Sequence, residues 1–400
     1  MILSTIWEMA AMQDYDPLAH EEFETPHRVF ADLRARCPVA HSEAFGGFWM
    51  LTRHQDIRAV LEDADGFTTT VRNVVPGSSA TGRRPPLHLD APEHTPYRRA
   101  IDRALGPRRV EDIAPVIEAH ARRLMRDFVA RGGGDLVEHV SSPLPALAFA
   151  DWFALDEPQT TLLWRTAQAF VKAWEAFDVE TVGRTSETLY DLARDLIASR
   201  RQALLDPERD PVSSLLQAQD DDGAPLPDEM LVGCVRQILV VGLVAPPVFL
   251  GSVAVHLAGD PDLQDRLRRD ATLTIPATEE FLRLYTPYRG FARTSRHGVT
   301  LHGRAIAPGE PIALAYASAN RDEAVFEDPH SFRLNRPNIR EHLAFGRGPH
   351  RCAGMAMARR MLQIAIRVLL DETRSIAMDG DPRMSGMPEV GPVYAPLRVT

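Results

Sequence analysis

Apolar positions recur with helical spacing along most of the chain, and strand-like alternation is confined to short runs. Pro26 to Arg36 has the helical spacing and stops before Cys37-Pro38. Val39-Ala40-His41 and Phe48-Trp49-Met50-Leu51 then read as short paired strands around Gly46-Gly47. A helix over His54 to Glu62 precedes a long irregular stretch, Thr68 to Pro86, containing Gly77, Ser78, Ser79 and Gly82; such stretches in compact proteins serve as lids or binding loops, or are simply flexible. Pro92 suits a helix start. Helical patterns follow over Val110 to Ala130, Pro145 to Ala154 and Gln159 to Leu205, with a break at Gly132-Gly133-Gly134 and a polar turn at Asp220 to Pro227. The Gln159 to Leu205 region carries Trp164, Phe170, Trp174, Phe177 and Tyr190, aromatics of the kind that usually fill cores. A helix from Thr278 ends at Pro287, Val299 to Gly303 alternates as strand and turn, and Met355 to Leu370 is helical again. The pattern predicts a mainly α protein with a small β-rich lobe.

Gln237 to Val255 contains no charged side chain and reaches the ~18 residues at which a membrane span becomes a candidate. Pro246 and Pro247 sit in its middle, and soluble-type sequence flanks it, so the expectation is a buried central helix, apolar all round. Met1 to Met12 lacks the basic start and cleavage signature of a signal peptide. With no composition break in 400 residues, one domain spanning 1–400 is expected, residues 1–24 being an N-terminal extension. A net charge of −10 argues against general nucleic-acid binding. Cys37, Cys234 and Cys352 are too few and scattered for a disulfide framework, which points to a reducing cytoplasm.

The densest chemical signal is Phe345-Gly346-Arg347-Gly348-Pro349-His350-Arg351-Cys352-Ala353-Gly354. Its glycines and proline let the backbone wrap a cysteine at a helix N-terminus, where the dipole, loop amides, Arg347 and Arg351 favour a thiolate. One cysteine cannot build a tetrahedral zinc site, so a metal here brings most of its own ligands, as haem iron does with one axial thiolate. The run resembles the haem-binding loop of the cytochrome P450 monooxygenases, Phe-Gly-x-Gly-x-His-x-Cys-x-Gly, at every fixed position.

The resemblance implies haem b as cofactor, Cys352 as the metal ligand and Phe345 in the haem-binding loop. His94 and Arg98, four apart on one helical face, match the family's His-x-x-x-Arg propionate pair; Arg293 and His350 match its other propionate residues. Glu280 and Arg283 match its Glu-x-x-Arg, joined by Arg336, as a structural buttress. Tyr288, Arg289, Gly290 and Phe291 occupy the stretch that runs over the haem edge into the substrate pocket, and Gln159 to Leu205 corresponds to the helices roofing it. The chain departs from the family in its central helix. The usual Ala-Gly-x-Asp/Glu-Thr-Thr is Val241-Gly242-Leu243-Val244-Ala245-Pro246-Pro247: Gly242 is present, Val244 replaces the acid and Ala245 the alcohol. Neither carries a proton, and two prolines inside a helix would free carbonyls one turn earlier. Three explanations stand: the substrate organises water with its own polar group, Arg289 being a candidate anchor; freed carbonyls hold a water chain; or oxygen is not activated in the usual way.

The implied function is insertion of one oxygen atom from O2 into a small organic substrate, with ferredoxin and ferredoxin reductase as electron donors. Arg98, Arg99, Arg103, Arg347, Arg351, Arg359 and Arg360 would form the docking face on the cysteine side. The alternatives are a haem-binding auxiliary partner of another enzyme, or an atypical or peroxide-driven reaction; Ala245, where a peroxide-using variant places arginine, weakens the last.

Overall fold

The computed structural model describes residues 14–19, 25–77, 82–176 and 178–400. Met1 to Met12, Ser78, Ser79 and Phe177 lie outside the described residues. The helices that build the site are α1 (His94–Ala104), α2 (Pro107–Ala130), α3 (Pro143–Trp152), α4 (Glu157–Glu175), α5 (Val179–Gln202), α6 (Asp228–Val241), α7 (Ala245–Gly259), α8 (Thr274–Leu284) and α9 (Met355–Glu372). α2 buries Val110, Ile113, Ala114, Ile117, Ala121, Met125 and Phe128, a stripe at three- and four-residue steps, and lays it against α9. α9 answers with Met357, Met361, Leu362, Ala365, Val368 and Leu369. The largest apolar cluster runs through these helices and α6 and α7.

Five strands form the main sheet: β1 (Val39–Ser42), β2 (Phe48–Leu51), β3 (Phe67–Thr68), β4 (Phe291–Ser295) and β5 (Pro311–Leu314). Their order is β1-β2-β5-β4-β3, with β2 and β5 parallel and the other pairs antiparallel. β1 and β2 pair Val39 with Leu51 and Ser42 with Phe48, the hairpin expected around Gly46-Gly47. Two smaller apolar clusters lie on this sheet. Glycines 133 and 134 do more than end a helix: Gly133–Asp135 pairs with the C-terminal strand Pro396–Val399.

The single central helix is corrected. α6 stops at Val241, Gly242 to Val244 form a turn closed by the Leu243 N–H on the Val240 carbonyl at 2.9 Å, and α7 restarts at Ala245. Pro246 and Pro247 therefore stand in a first turn, where an N–H has no intrahelical partner to lose. Asp228–Gly259 is long and apolar enough to cross a membrane, but 72% of its most apolar window is buried inside this structure.

Candidate active site

Cys352 is set by its loop's backbone. Gly346 and Gly348 have φ of 63° and 69°, and a Cβ on Gly348 would lie 2.1 Å from the Leu61 carbonyl oxygen, so only glycine lets the loop pass there. The Cys352 N–H donates to the Phe345 carbonyl at 2.9 Å, and the Arg359 guanidinium lies over the Phe345 ring, 4.7 Å from its centroid. Cys352 lies deep in the protein yet its surface is uncovered, because it opens onto a cavity of 410 Å³. Burial pushes the free thiol up, opposed by the Gly354 N–H and the charges of Arg98, Arg359 and Arg351. Arg347 does not join them, since its guanidinium reaches Glu341 at 3.2 Å.

Polar groups gather at one edge of the cavity. His94 and His350 meet edge to face, centroids 4.7 Å apart. Burial, then Arg293 and His94, holds His350 down at about 3, and burial followed by Arg98 lowers His94. His94 Nε2 is buried without a hydrogen bond, and the buried Arg293 donates to the adjoining Ala292 carbonyl at 2.8 Å. Arg98 also lines the cavity and ties α1 to the cysteine loop, donating to Asp102 at 2.9 Å, to the Pro349 carbonyl at 3.3 Å and to that of Arg351.

This donor set fits haem. Among the described residues a single cysteine, Cys352, lines the cavity, and no group of three or more His, Cys, Asp and Glu side chains converges to hold a bare ion. The orphaned His94 Nε2 and the Arg293 cation offer a carboxylate-bearing edge what it needs.

Gly242, Val244 and Ala245 line the same cavity. A Cβ on Gly242 would fall 2.0 Å from the Phe149 ring, so this glycine makes room for an aromatic side chain. Tyr288 and Phe291 also line the cavity, ring centroids 4.5 Å apart. Arg289 and Gly290 do not, contrary to the expectation. Neighbours in an extended segment point to opposite sides, so Tyr288 facing the cavity sends Arg289 into the core, 1% exposed, toward Tyr15 and, at 3.5 Å, the Ser385 carbonyl. A Cβ on Gly290 would lie 2.3 Å from both Pro388 Cβ and the Val75 oxygen, so that glycine permits backbone packing. Of the roof aromatics, Phe170 and Trp174 reach the cavity; Trp164 packs against the core and Tyr190 is buried beside Arg236. Pattern reading missed Phe149, Arg84, His88 and Arg236 as lining residues. Arg236 left one signal, as the last charge before the uncharged run.

Behind the cysteine loop, Arg283 donates to both carboxylate oxygens of Glu280 at 2.9 and 2.7 Å, and Arg336 Nε lies 3.1 Å from the same group. The glutamate and Arg283 side chains are at most 1% exposed, which makes this a buried network rather than a surface pair. The seven arginines of the expected docking face are mostly neutralised. Arg103 pairs with Glu208, Arg347 with Glu341, Arg359 with Glu279 and Arg360 with Glu111, whereas Arg99 and Arg351 are exposed and form no ion pair among the described residues.

Residues 166–391 match the family profile described as cytochrome P450. Linalool 8-monooxygenase of Pseudomonas putida is 31% identical over 86% of this chain and 88% of its own. Mycinamicin IV hydroxylase/epoxidase of Micromonospora griseorubida is 31% identical over 87% and 89%. Among solved structures, the bacillaene polyketide synthase cytochrome P450 PksS of Bacillus subtilis superposes with a TM-score of 0.86 at 26% identity, covering 96% of this chain and all of that one. The chain belongs to the cytochrome P450 family. It is accordingly a haem-based oxidoreductase of the monooxygenase class.

Proposed function

We propose that this protein is a cytoplasmic, single-domain haem-thiolate monooxygenase that inserts one oxygen atom from O2 into a small organic substrate, with substrate-assisted proton delivery. The observation that carries the reading is Cys352, a thiol opening onto a deep cavity beside an orphaned His94 Nε2. Haem b, when bound, supplies the oxygen-activating chemistry. Cys352 gives the thiolate, His94, Arg98, Arg293 and His350 meet the propionates, and Arg98 also braces the loop that carries the sulfur. Phe149, Phe249 and Phe291 exclude water and orient the substrate. Ferredoxin, reduced by its reductase, is the electron donor. Curated relatives named for oxidising linalool, a steroid and 6-deoxyerythronolide B differ too widely for any one substrate to carry over.

Val244 and Ala245 hold no proton, and Arg289 faces the wrong way to anchor substrate. Protons therefore travel through a polar group of the substrate and waters it fixes. The Gly242 and Leu243 carbonyls belong to the turn between α6 and α7, outside the regular bonding of either helix, and would serve as acceptors for such waters. The test is product formed per reductant consumed, for the substrate and for an analogue lacking only the polar group nearest the oxidised carbon. General acid–base assistance is worth about 10²–10⁴-fold in rate, so the analogue should release mainly peroxide. Equal coupling for the two would refute substrate-assisted delivery.

A further inference from the structure

One end of the cavity is cationic, far more so than an apolar substrate requires. Arg84 and His88 come from the loop before α1, and Arg236 from α6. The loop is brought there by Gly233, where an added Cβ would lie 2.1 Å from the Arg83 carbonyl oxygen. Gly233 and Arg236 are three apart and share a helix face, so the close approach sets Arg84 beside Arg236. Arg236 is 1% exposed, with its guanidinium between the rings of Phe170 and Tyr190, 5.6 and 5.7 Å from their centroids. Its Nη2 donates to Ser186 Oγ at 2.9 Å and its Nε makes no hydrogen bond.

Among the described residues, no buried carboxylate pairs with Arg236. Burial, then Arg84, lowers Arg236 to about 10, so it stays charged at neutral pH; Tyr190 and the exposed Glu187 oppose that shift only in part. Burial, then Arg84, Arg236 and Arg83, holds His88 down at about 4, leaving a neutral imidazole able to donate or accept. Glu389, the one carboxylate among the lining residues, forms a backbone β-bridge with Tyr288 and is not among the charges acting on His88 or Arg236. A buried guanidinium without a counter-ion is costly, and a site that keeps one open to a cavity gains most from an incoming anion.

We infer that Arg236 and Arg84, with His88, receive an anionic group of the substrate, so that the protein oxidises organic acids whose apolar body extends among Phe149, Trp152 and Phe249 toward Cys352. This rests on the monooxygenase reading above and names its substrate class. A carboxylate fits the guanidinium fork, and a sulfate ester shares that chemistry.

The experiment titrates the haem-loaded protein with arylalkanoates from phenylacetate to phenylhexanoate, with the matching primary amides and with phenylalkyl sulfates. Dissociation constants are read from the haem absorption shift, and ligand-induced change in Tm is a second readout. The best acid should bind at least about tenfold more tightly than its amide, as expected for a charge-assisted bidentate contact. Arg236→Met should abolish that preference while leaving amide binding in place, and Arg84→Met should weaken it. A sulfate preferred over the carboxylate would keep the site and reassign its anion. Equal affinity for acid and amide, a preference that survives in both variants, or no spectral or thermal response to any acid or sulfate would overturn the inference. Each variant is also assayed for the thiolate-type band of its reduced carbon-monoxide complex. Loss of the acid preference in Arg236→Met with that band intact supports this inference, and failure of the unmodified protein to prefer any acid or sulfate with its band intact counts against it, whereas loss of the band in the unmodified protein counts against the haem-thiolate reading itself.

Discussion

Arg283→Met tests whether the network behind the cysteine loop holds the fold together. Besides its two hydrogen bonds to Glu280, Arg283 donates to the carbonyls of Asn320 at 2.9 Å, Pro329 at 2.7 Å and Ser331 at 3.1 Å. It thus pins the irregular segment leading to the cysteine loop onto α8. Methionine fills much of the volume but returns none of these bonds. Breaking a buried ion pair by removing one partner costs about 3–5 kcal/mol, against a total stability of about 5–15 kcal/mol for a folded protein. A fifth or more of the stability should therefore disappear, read as a fall in the urea midpoint of the haem-loaded protein by far-UV circular dichroism. Glu280→Met should be worse, because it strands two buried guanidiniums instead of one carboxylate that keeps Arg336. The comparison is Arg36→Met, which breaks a solvent-exposed pair with Asp32 four residues earlier and should leave the midpoint unchanged. A loss below about 1 kcal/mol for Arg283→Met would refute the reasoning, since it would mean the buried pair is worth no more than a surface one.

Gly242→Ala places a methyl against the Phe149 ring and should cost about 1–3 kcal/mol by overpacking; Tm should fall and recover in part when combined with Phe149→Leu. An unchanged Tm would show that the ring moves aside freely. Reduction by ferredoxin should slow as salt rises, with charge reversal at Arg99 and Arg351 most damaging, because the other candidate arginines already have carboxylate partners. A salt-independent rate would rule out an electrostatic docking face.

The parts of the site that were legible in the sequence are those where backbone chemistry is local. Gly346 and Gly348 need φ values that other residues rarely adopt, so the cysteine loop announces itself. β1 and β2 are adjacent in the chain and pair as their alternation requires. What stayed hidden depends on which side of an element a residue faces. Arg289 sits one residue from a cavity-lining tyrosine and points the other way, and no periodicity spans a segment that short. The break between α6 and α7 was read as a damaged helix interior, because a pair of prolines looks the same in an interior and in a first turn. The cationic end of the cavity joins a loop to a helix well over a hundred residues away, which only tertiary packing brings together.

The account stands or falls on Cys352. Cys234 is fully buried and burial pushes its thiol well up, while Cys37 lies against the Val39 carbonyl, its sulfur 3.2 Å from the Arg304 guanidinium. Neither lines the cavity. The direct measurement is the absorption spectrum of the reduced carbon-monoxide complex of the haem-loaded protein and of Cys352→Ser. The unmodified protein should give the thiolate-type band and Cys352→Ser should lose it. A band that survives in Cys352→Ser would contradict the assignment of Cys352 as the ligand.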